Sequence, residues 1–151
     1  MPEVQDLRED LTVYGKLLHD YVSLYFWPRN AMLYKRRKQQ RGIIILGIDP
    51  IVLTWETTVF TDGNAASRNR TSYYKDVSKL KSLPWNVIRA HNWSEYPSGR
   101  RISCAEVLVY PELGPSYIRA IFCYSNEQKA ACLSLASPLG IAVEVDPKLY
   151  Y

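Results

Sequence analysis

The sequence predicts an α+β fold in which short strands and helices follow one another within a single domain. Two observations predict it. Residues 43–48 read IIILGI, a run rich in the β-branched side chains that favour strands. Ser125 and Gln128 have the spacing of a capping box, which marks the start of a helix. The chain of 151 residues has no internal repeat and no linker, so residues 1–151 are expected to form one domain.

Local residue patterns give the elements in order. Residues 17–26 begin as a helix end and continue as a strand-like aromatic run. Pro28 suits the first turn of a helix, because its missing N–H costs nothing there, and residues 29–38 contain few helix breakers. The further expected elements are a strand over residues 43–48, a strand over 59–61, a short helix over 84–91, strands over 105–110 and 117–123, a helix from Ser125 to Ala136 and a strand over 141–145.

Residues 65–85 show no persistent period, which predicts a long and partly irregular segment. Asp62-Gly63-Asn64, a strong turn signal, comes just before it. Long loops of compact domains often carry functional residues, and disorder is the alternative interpretation.

Composition bounds the class of protein. Apolar residues make up 47% of the chain, with 12 Tyr and 4 Trp, which is ample for a buried core. No apolar stretch approaches the roughly 20 residues that a membrane-spanning helix needs. The N-terminal MPEVQD is acidic and polar, unlike a secretory signal, so the cytoplasm is the expected location.

Several chemistries are excluded by missing motifs. The three cysteines, at positions 104, 123 and 132, lack the spacing of metal-binding pairs, so they are expected in the core and no metal is expected. There is no glycine-rich phosphate loop and no Gly-x-Ser-x-Gly elbow. The imidazoles are His19 and His91; a structural role is favoured for His91, and the role of His19 stays open.

Positive charge is clustered, although the net charge is only +4. Residues 35–41, KRRKQQR, contain five cations in seven residues, and smaller clusters are Arg68 with Arg70 and Arg100 with Arg101. Three such clusters favour a polyanion partner such as nucleic acid. For residues 35–41 a solvated helix end is an equally good interpretation, because cations suit the negative end of the helix dipole.

Two charged residues stand within apolar sequence, where a charge is costly unless it is paired or used. Arg29 lies beside Pro28 at the expected helix start, where the dipole disfavours a cation. An anionic ligand such as a pyrophosphate would bind both helix start and guanidinium; the alternative is a structural ion pair. Glu106 opens an apolar strand, either as a catalytic carboxylate in a cleft or as the partner of a cation.

Three segments in a fixed order carry a resemblance to a known family. Residues 19–34 read HDYVSLYFWPRNAMLY, residues 61–67 read TDGNAAS and residues 104–109 read CAEVLV. A proline-containing loop and Tyr117-Ile118 follow the third segment. The segments resemble the motifs of the DarT family, toxins that transfer ADP-ribose from NAD onto bases of single-stranded DNA. The resemblance covers roughly residues 17–136 and is specific because all three motifs occur in order.

The resemblance implies an ADP-ribosyltransferase-like fold, a split mixed β-sheet with flanking helices that holds NAD as a substrate between its halves, without a metal. Arg29 matches the arginine that contacts NAD and is needed for catalysis. Glu106 matches the glutamate that helps to activate the acceptor base. Tyr25 and Asn64 are expected to contribute to NAD binding.

The resemblance also implies partners. The loop before Glu106 presents the DNA acceptor in the family, and arginines there suit contact with phosphate. Family members are checked by a macrodomain antitoxin of the DarG type, so single-stranded DNA and such an antitoxin are the expected partners. The residues expected to contact DNA are Arg68, Arg70, Arg100 and Arg101.

The sequence departs from the family pattern at its start. Family members usually begin with a strand carrying Tyr-His-Ile-Thr or a close variant, whose histidine binds NAD. No histidine occurs in residues 1–18, so an N-terminally shortened fold is expected. Three functions stay open: a DNA ADP-ribosyltransferase, a catalytically degenerate nucleic-acid-binding remnant of the same fold, and a small NAD-binding or NAD-cleaving protein without a DNA substrate.

Overall fold

The computed structural model describes residues 8, 10–67 and 69–151. They divide into two compact units, one formed by the described part of Met1–Trp27 with Ile51–Leu113 and the other by Pro28–Pro50 with Gly114–Tyr151. The strands are β1 Thr12–Val13, β2 Lys16–Leu17, β3 Val22–Tyr25, β4 Ile45–Ile48, β5 Val59–Thr61, β6 Tyr73–Tyr74, β7 Glu106–Val109, β8 Ile118–Cys123 and β9 Ala142–Val145. The α-helices are α1 Ala31–Lys35, α2 Trp85–Ile88, α3 Gly99–Ile102 and α4 Asn126–Ala136. Short 3-10 helices cover Leu18–Asp20, Arg37–Gly42, Pro50–Thr54, Val77–Ser82, Trp93–Glu95, Pro115–Tyr117, Ser137–Leu139 and Pro147–Leu149.

The first unit is organised by an antiparallel sheet in the order β3-β7-β5-β6. Strand β7 lies between two neighbours, and all four of its residues are buried. That burial explains why the sequence of β7 is apolar after Glu106, because a strand covered on both faces has no polar side. The register places Tyr25 of β3 opposite Glu106 of β7.

A two-stranded hairpin of β1 and β2 adds to the core of the first unit. Tyr14 and Gly15 at its turn have φ of 48° and 79°, the left-handed conformation that two-residue hairpin turns require. The core cluster beside it combines residues from the hairpin, its following turn and strands β5 and β7. Its buried members are Val13, Leu18, Tyr21, Val59, Ala65 and Leu108.

The segment 65–85 is more regular than the sequence suggests. Its residues 73–74 form β6, which pairs with β5, and the 3-10 helix Val77–Ser82 follows, with Asp76 accepting from the backbone N–H of Ser78. A strand of two residues is too short to give an alternating pattern, so periodicity does not reveal it. The expected helix over residues 84–91 is the shorter α2.

The second unit has a three-stranded sheet in the order β4-β8-β9. Strands β4 and β8 are antiparallel, and β8 and β9 are parallel and joined through α4. The buried residues Ile121, Cys123, Ala136 and Val143 form the core between this sheet and α4. The sheet is therefore mixed, as the family resemblance implies.

Helix α4 begins as its capping signal predicts, with one difference. The Ser125 hydroxyl accepts from the backbone N–H of Gln128 at 3.3 Å. The Gln128 side chain, however, accepts from the N–H of Tyr124 at 2.7 Å and not from that of Ser125, one residue further back than in a standard capping box.

The prediction of a helix that starts at Pro28 and continues to residue 38 is wrong at both ends. Helix α1 begins at Ala31, because the Asn30 side chain accepts from the backbone N–H groups of Met32 and Leu33, each at 3.0 Å. Asparagine is a strong N-cap, so with Asn30 as the cap the first helical residue lies three positions after Pro28. Arg29 therefore precedes the helix, and α1 gives way to the 3-10 helix Arg37–Gly42.

Among the described residues, no helix is both long enough and apolar enough to cross a membrane.

Candidate active site

Glu106, the first residue of β7, is 1% exposed, and both of its carboxylate oxygens are held. Its Oε1 accepts from the backbone N–H of Ala65 at 2.9 Å, and its Oε2 accepts from Nη2 of Arg8 at 2.5 Å. A buried carboxylate is tolerated only when it is paired and hydrogen-bonded, and this one is both. The carboxylate is thus fixed in position as an ion.

Thr61, at the end of β5, fixes the backbone at the same point. Its hydroxyl accepts from the N–H of Glu106 at 2.9 Å and donates to the carbonyl of Gly63 at 2.6 Å. Thr61 is fully buried, so neither bond competes with solvent. One hydroxyl therefore couples the start of β7 to the turn that follows β5.

Tyr73 supports that turn from β6. Its hydroxyl donates to the carbonyl of Ala65 at 2.5 Å, and the N–H of Ala65 is the group that binds Glu106. Burial, reinforced by the nearby Glu106 carboxylate, raises the pKa of Tyr73. The phenol therefore stays protonated and keeps donating.

Asn64 and Arg101 are joined within the same unit. The N–H of Asn64 donates to the carbonyl of Arg101 at 2.9 Å, and Nη1 of Arg101 donates to Asp62 at 3.0 Å. A Cβ on Gly63 would lie 2.2 Å from that Nη1, so the guanidinium packs where only glycine leaves room. Arg101 thus braces the turn, while contact with nucleic acid stays a prediction for it, as contact with NAD does for Asn64.

Arg8 is the residue of this site that sequence reasoning missed. It reaches from Glu106 on β7 to Ser23 on β3, whose Oγ accepts from its Nη1 at 2.6 Å, and its side chain is 18% exposed. The signal was indirect: a buried carboxylate requires a cation, but the two residues are 98 positions apart and no local pattern joins them.

Tyr25 lies opposite Glu106 in the β3–β7 register. Residues directly opposite in an antiparallel pair have side chains on the same face, with Cβ atoms about 5 Å apart. Tyr25 is 39% exposed, so an aromatic ring open to solvent stands beside the buried carboxylate.

Arg29 belongs to the second unit. Its guanidinium carbon lies 4.7 Å from the centre of the Tyr151 ring, in a cation–π contact. Its Nε is buried and has no hydrogen-bond partner among the described residues. A buried donor without a partner is rare in folded proteins.

The other arginines expected to contact DNA differ in setting. Arg70 and Arg100 are exposed, whereas Arg101 makes the ion pair described above. Arg68 lies outside the described residues. His19 and His91 are exposed. Nowhere in residues 8, 10–67 and 69–151 do three or more His, Cys, Asp or Glu side chains come together as metal ligands would.

The fold is that of DNA ADP-ribosyltransferases of known structure. The structure of Thermus sp. 2.9 DarT in complex with ADP-ribosylated single-stranded DNA is similar with a TM-score of 0.89 and 26% identity, covering 98% of this chain and 78% of that one. The complex of the same protein with NAD+ has a TM-score of 0.85 and 25% identity, covering 96% and 81%. The predicted fold class is thereby confirmed.

Sequence comparison gives the family itself. A family model described as "ssDNA thymidine ADP-ribosyltransferase, DarT" matches residues 1–151, and the chain belongs to the DarT family, as its three motifs predict. A DNA ADP-ribosyl transferase–DNA ADP-ribosyl glycohydrolase fusion protein of Thermosipho africanus is 30% identical over 143 residues, 91% of this chain. The chain spans 36% of the length of that fusion protein and 57% of the length of a DNA ADP-ribosyl transferase of Thermus sp..

Proposed function

We propose that this chain transfers ADP-ribose from NAD+ to a base of single-stranded DNA. Support comes from the family match over residues 1–151 and from the similar Thermus structures in complex with NAD+ and with ADP-ribosylated single-stranded DNA. The observation that carries the proposal is the buried, paired carboxylate of Glu106 at the start of β7, within the third family motif. Thymine is the proposed acceptor, because the description of the family model names thymidine.

In the proposed reaction, the bond between the anomeric carbon of the nicotinamide ribose and the nicotinamide nitrogen breaks, and nicotinamide leaves with the electron pair. A nitrogen of the base forms the new bond to that carbon and loses its proton. The transition state resembles an oxocarbenium ion, so catalysis depends on charge stabilisation and on orientation of the acceptor more than on a strong base.

Glu106 is proposed to orient the acceptor nitrogen and to take its proton. An ionised carboxylate offers about four lone-pair positions, two on each oxygen. Ala65 and Arg8 each use one, which leaves acceptor capacity on both oxygens. Because the carboxylate is already held as an ion, little reorganisation is required when the base arrives.

Arg29 is proposed to hold the diphosphate of NAD+. Its buried Nε lacks a partner among the described residues, and a phosphate oxygen would supply one in a charge-assisted bond. The ring of Tyr151 restrains the guanidinium at 4.7 Å, so less side-chain entropy is lost on binding. Tyr25 and Asn64 are proposed to complete the contacts with NAD+.

The DNA strand is proposed to contact the exposed Arg70 and Arg100 through its phosphates. Arg68, outside the described residues, is proposed to act with Arg70. For Arg101 the ion pair with Asp62 supports a different contribution, in which it holds the turn before Ala65 in shape while its remaining guanidinium hydrogens face DNA.

The experiment combines labelled NAD+ with single-stranded oligonucleotides, some containing thymine and some lacking it. Label is expected on the thymine oligonucleotides with the unchanged chain, and it should be lost with Glu106→Ala. The matched control is Glu112→Ala, which removes an exposed carboxylate from the same unit and should leave labelling intact.

Each of the other outcomes points to a different function. DNA binding without label would indicate the nucleic-acid-binding remnant. Loss of NAD+ without labelled DNA would indicate an NAD-cleaving protein. Absence of NAD+ binding would exclude both enzymatic functions, and equal labelling with Glu106→Ala would remove Glu106 from the mechanism.

A role as the toxin of a toxin–antitoxin pair is the second part of the proposal. It is supported by the Thermosipho africanus relative, in which a DNA ADP-ribosyl transferase is fused to a DNA ADP-ribosyl glycohydrolase. Expression of this chain in a bacterial host should arrest growth, and a macrodomain antitoxin of the DarG type should restore it. Normal growth with the chain expressed and active on DNA would contradict the toxin role.

A further inference from the structure

The basic segment, residues 35–41, is a strongly charged surface that the proposed chemistry does not use. Its five cations are Lys35, Arg36, Arg37, Lys38 and Arg41, and all are exposed. Residues 21–48 contain no aspartate or glutamate. Within the part of the chain that the structure describes, none of the five takes part in an ion pair. The positive charge of the segment is thus not neutralised locally.

The backbone conformation brings these charges together. Helix α1 ends at Lys35, and residues 37–42 continue as a 3-10 helix. With three residues per turn in that conformation, side chains three positions apart lie above one another. Lys38 and Arg41 therefore share one side of the segment, and Arg37 stands on another.

Aromatic rings connect the basic segment to Arg29. The Arg37 guanidinium carbon lies 4.1 Å from the centre of the Tyr34 ring, and Tyr34 meets Tyr151 edge to face at 5.1 Å. The guanidinium carbon of Arg29 lies 4.7 Å from the centre of the same Tyr151 ring. Within the second unit, the Tyr151 and Tyr34 rings are therefore neighbours, with Arg29 at one end of the pair and Arg37 at the other.

The pair of rings is held by polar contacts to the basic segment. The N–H of Tyr151 donates to Oε1 of Gln40 at 2.8 Å, and the Gln40 amide donates back to the carbonyl of Tyr151. The Tyr151 hydroxyl donates to the carbonyl of Asn30 at 3.1 Å. Tyr34, at 42% exposed, still presents ring surface to solvent. The rings of Tyr34 and Tyr151 are therefore held beside the cations before any ligand binds.

Cations beside an exposed aromatic ring, that of Tyr34, match the needs of one kind of ligand. Proteins that bind single-stranded nucleic acid combine a positive surface for the phosphates with aromatic rings on which bases stack. An acidic protein surface would use the charges but would have no need for the rings. An anionic membrane surface would likewise use the charges but not the rings.

We propose that the basic segment with Tyr34 binds the single-stranded DNA that extends beyond the reacting nucleotide. The inference rests on the proposed function, since it takes Arg29, at the Tyr151 end of the pair of rings, as the residue that contacts NAD+. It adds a second DNA-binding surface to the one proposed for Arg70 and Arg100. Its consequence is that affinity depends on the length of the oligonucleotide and on salt.

The test compares two variants by fluorescence anisotropy with thymine oligonucleotides of about 4 and about 16 nucleotides. One removes three charges of the segment, as Arg36→Gln, Lys38→Gln and Arg41→Gln together. The control removes three exposed charges elsewhere, as Lys79→Gln, Lys81→Gln and Lys148→Gln. All six positions are exposed, so both variants are expected to fold.

For the long oligonucleotide, the segment variant should bind about tenfold more weakly than the control at low salt. The slope of log affinity against log salt should fall by about 2, because each lost phosphate contact removes about 0.7. Arg37→Lys, which keeps the charge but loses the flat contact with Tyr34, should weaken binding by a smaller factor. The short oligonucleotide should bind equally to both triple variants.

Equal affinities and slopes for the two triple variants with the long oligonucleotide would overturn the inference. So would binding of anionic lipid vesicles or of an acidic protein that depends on the segment while DNA binding does not. Labelling of DNA by the unchanged chain is scored separately. If the unchanged chain does not label DNA but the salt slope of the segment variant is lower than that of the control, the second DNA-binding surface is supported and the proposed reaction is refuted. If the unchanged chain labels DNA but the two variants have the same salt slope, the proposed reaction is supported and the second surface is refuted.

Discussion

Replacing Arg8 with methionine is expected to destabilise the protein far more than loss of an ordinary surface arginine. Arg8→Met removes the charge and keeps most of the apolar stem. It leaves the Glu106 carboxylate, 1% exposed, with the Ala65 N–H as its remaining partner among the described residues. The effect therefore reports the energy of a buried charge that has lost its counterion.

The expected magnitude follows from burial. Breaking a buried ion pair by removing one partner costs about 3–5 kcal/mol. The lower end, about 3 kcal/mol, applies here, because the Arg8 side chain is 18% exposed and water can enter the vacated space. Glu106→Gln keeps an acceptor for Ala65 and leaves Arg8 with Ser23, so about 1–2 kcal/mol is expected for it.

Urea denaturation of the two single variants and of Arg8→Met with Glu106→Gln completes a double-mutant cycle. The combined loss should be smaller than the sum of the single losses by about 2 kcal/mol, since the second change removes the unpaired charge. Arg70→Met, at an exposed arginine of the same unit, serves as the control, with an expected loss within about 0.5 kcal/mol. Additive losses, or an Arg8→Met loss no larger than that of the control, would refute the ion pair as the support of Glu106.

Three further predictions concern other contacts. Burial raises the pKa of Tyr150 to about 12, so its neutral form stabilises the fold fully below the unfolded value near pH 10, and this stabilisation is lost as pH rises through 12. Tyr150→Phe should remove one late step from the absorbance titration of tyrosinate and cost about 1 kcal/mol in urea; an unchanged titration would contradict the assignment. Asn30→Ala should cost about 1 kcal/mol by removing the cap of α1, while Asn30→Ser, which keeps a neutral capping acceptor at this buried position, should cost less; equal losses would speak against the cap. Gly63→Ala should displace the Arg101 guanidinium and lower the unfolding free energy by about 1 kcal/mol. In an Arg101→Ala background the same substitution should cost nothing further. A loss of about 1 kcal/mol in that background as well would refute the proposed clash.

The parts of the fold that sequence predicts well are those specified by neighbouring residues. The strand over residues 59–61 has the bounds of β5, and the Ser125 cap gives the start of α4, because turn and capping residues act within a few positions. The fold class and the DarT resemblance are confirmed by the family match and the solved structures. The start of α1 was missed because Pro28 gave a helix signal two residues before the stronger cap of Asn30.

The candidate site shows the limit of local reasoning more clearly. Glu106 stands out in the sequence because a carboxylate in an apolar strand is almost never buried unless it is paired. The groups that hold it, Arg8, Thr61 and Ala65, come from three places in the chain and share no spacing with it. The pairing of β5 with β7 brings Thr61 and the turn with Ala65 to Glu106, whereas Arg8 lies in no strand, and neither composition nor periodicity encodes these contacts.

The combination of Thr61 and Ala65 around one residue has a consequence for side-chain length. Thr61 holds the main-chain N–H of Glu106, and Ala65 holds the end of its side chain, so the distance between the two anchors is set by the turn after β5. The distance between the two anchors therefore matches an acidic side chain with two methylene groups, which is that of glutamate. An aspartate at position 106 would fall short by about 1.5 Å, the length of one carbon–carbon bond, and would leave either Ala65 or Arg8 without its oxygen.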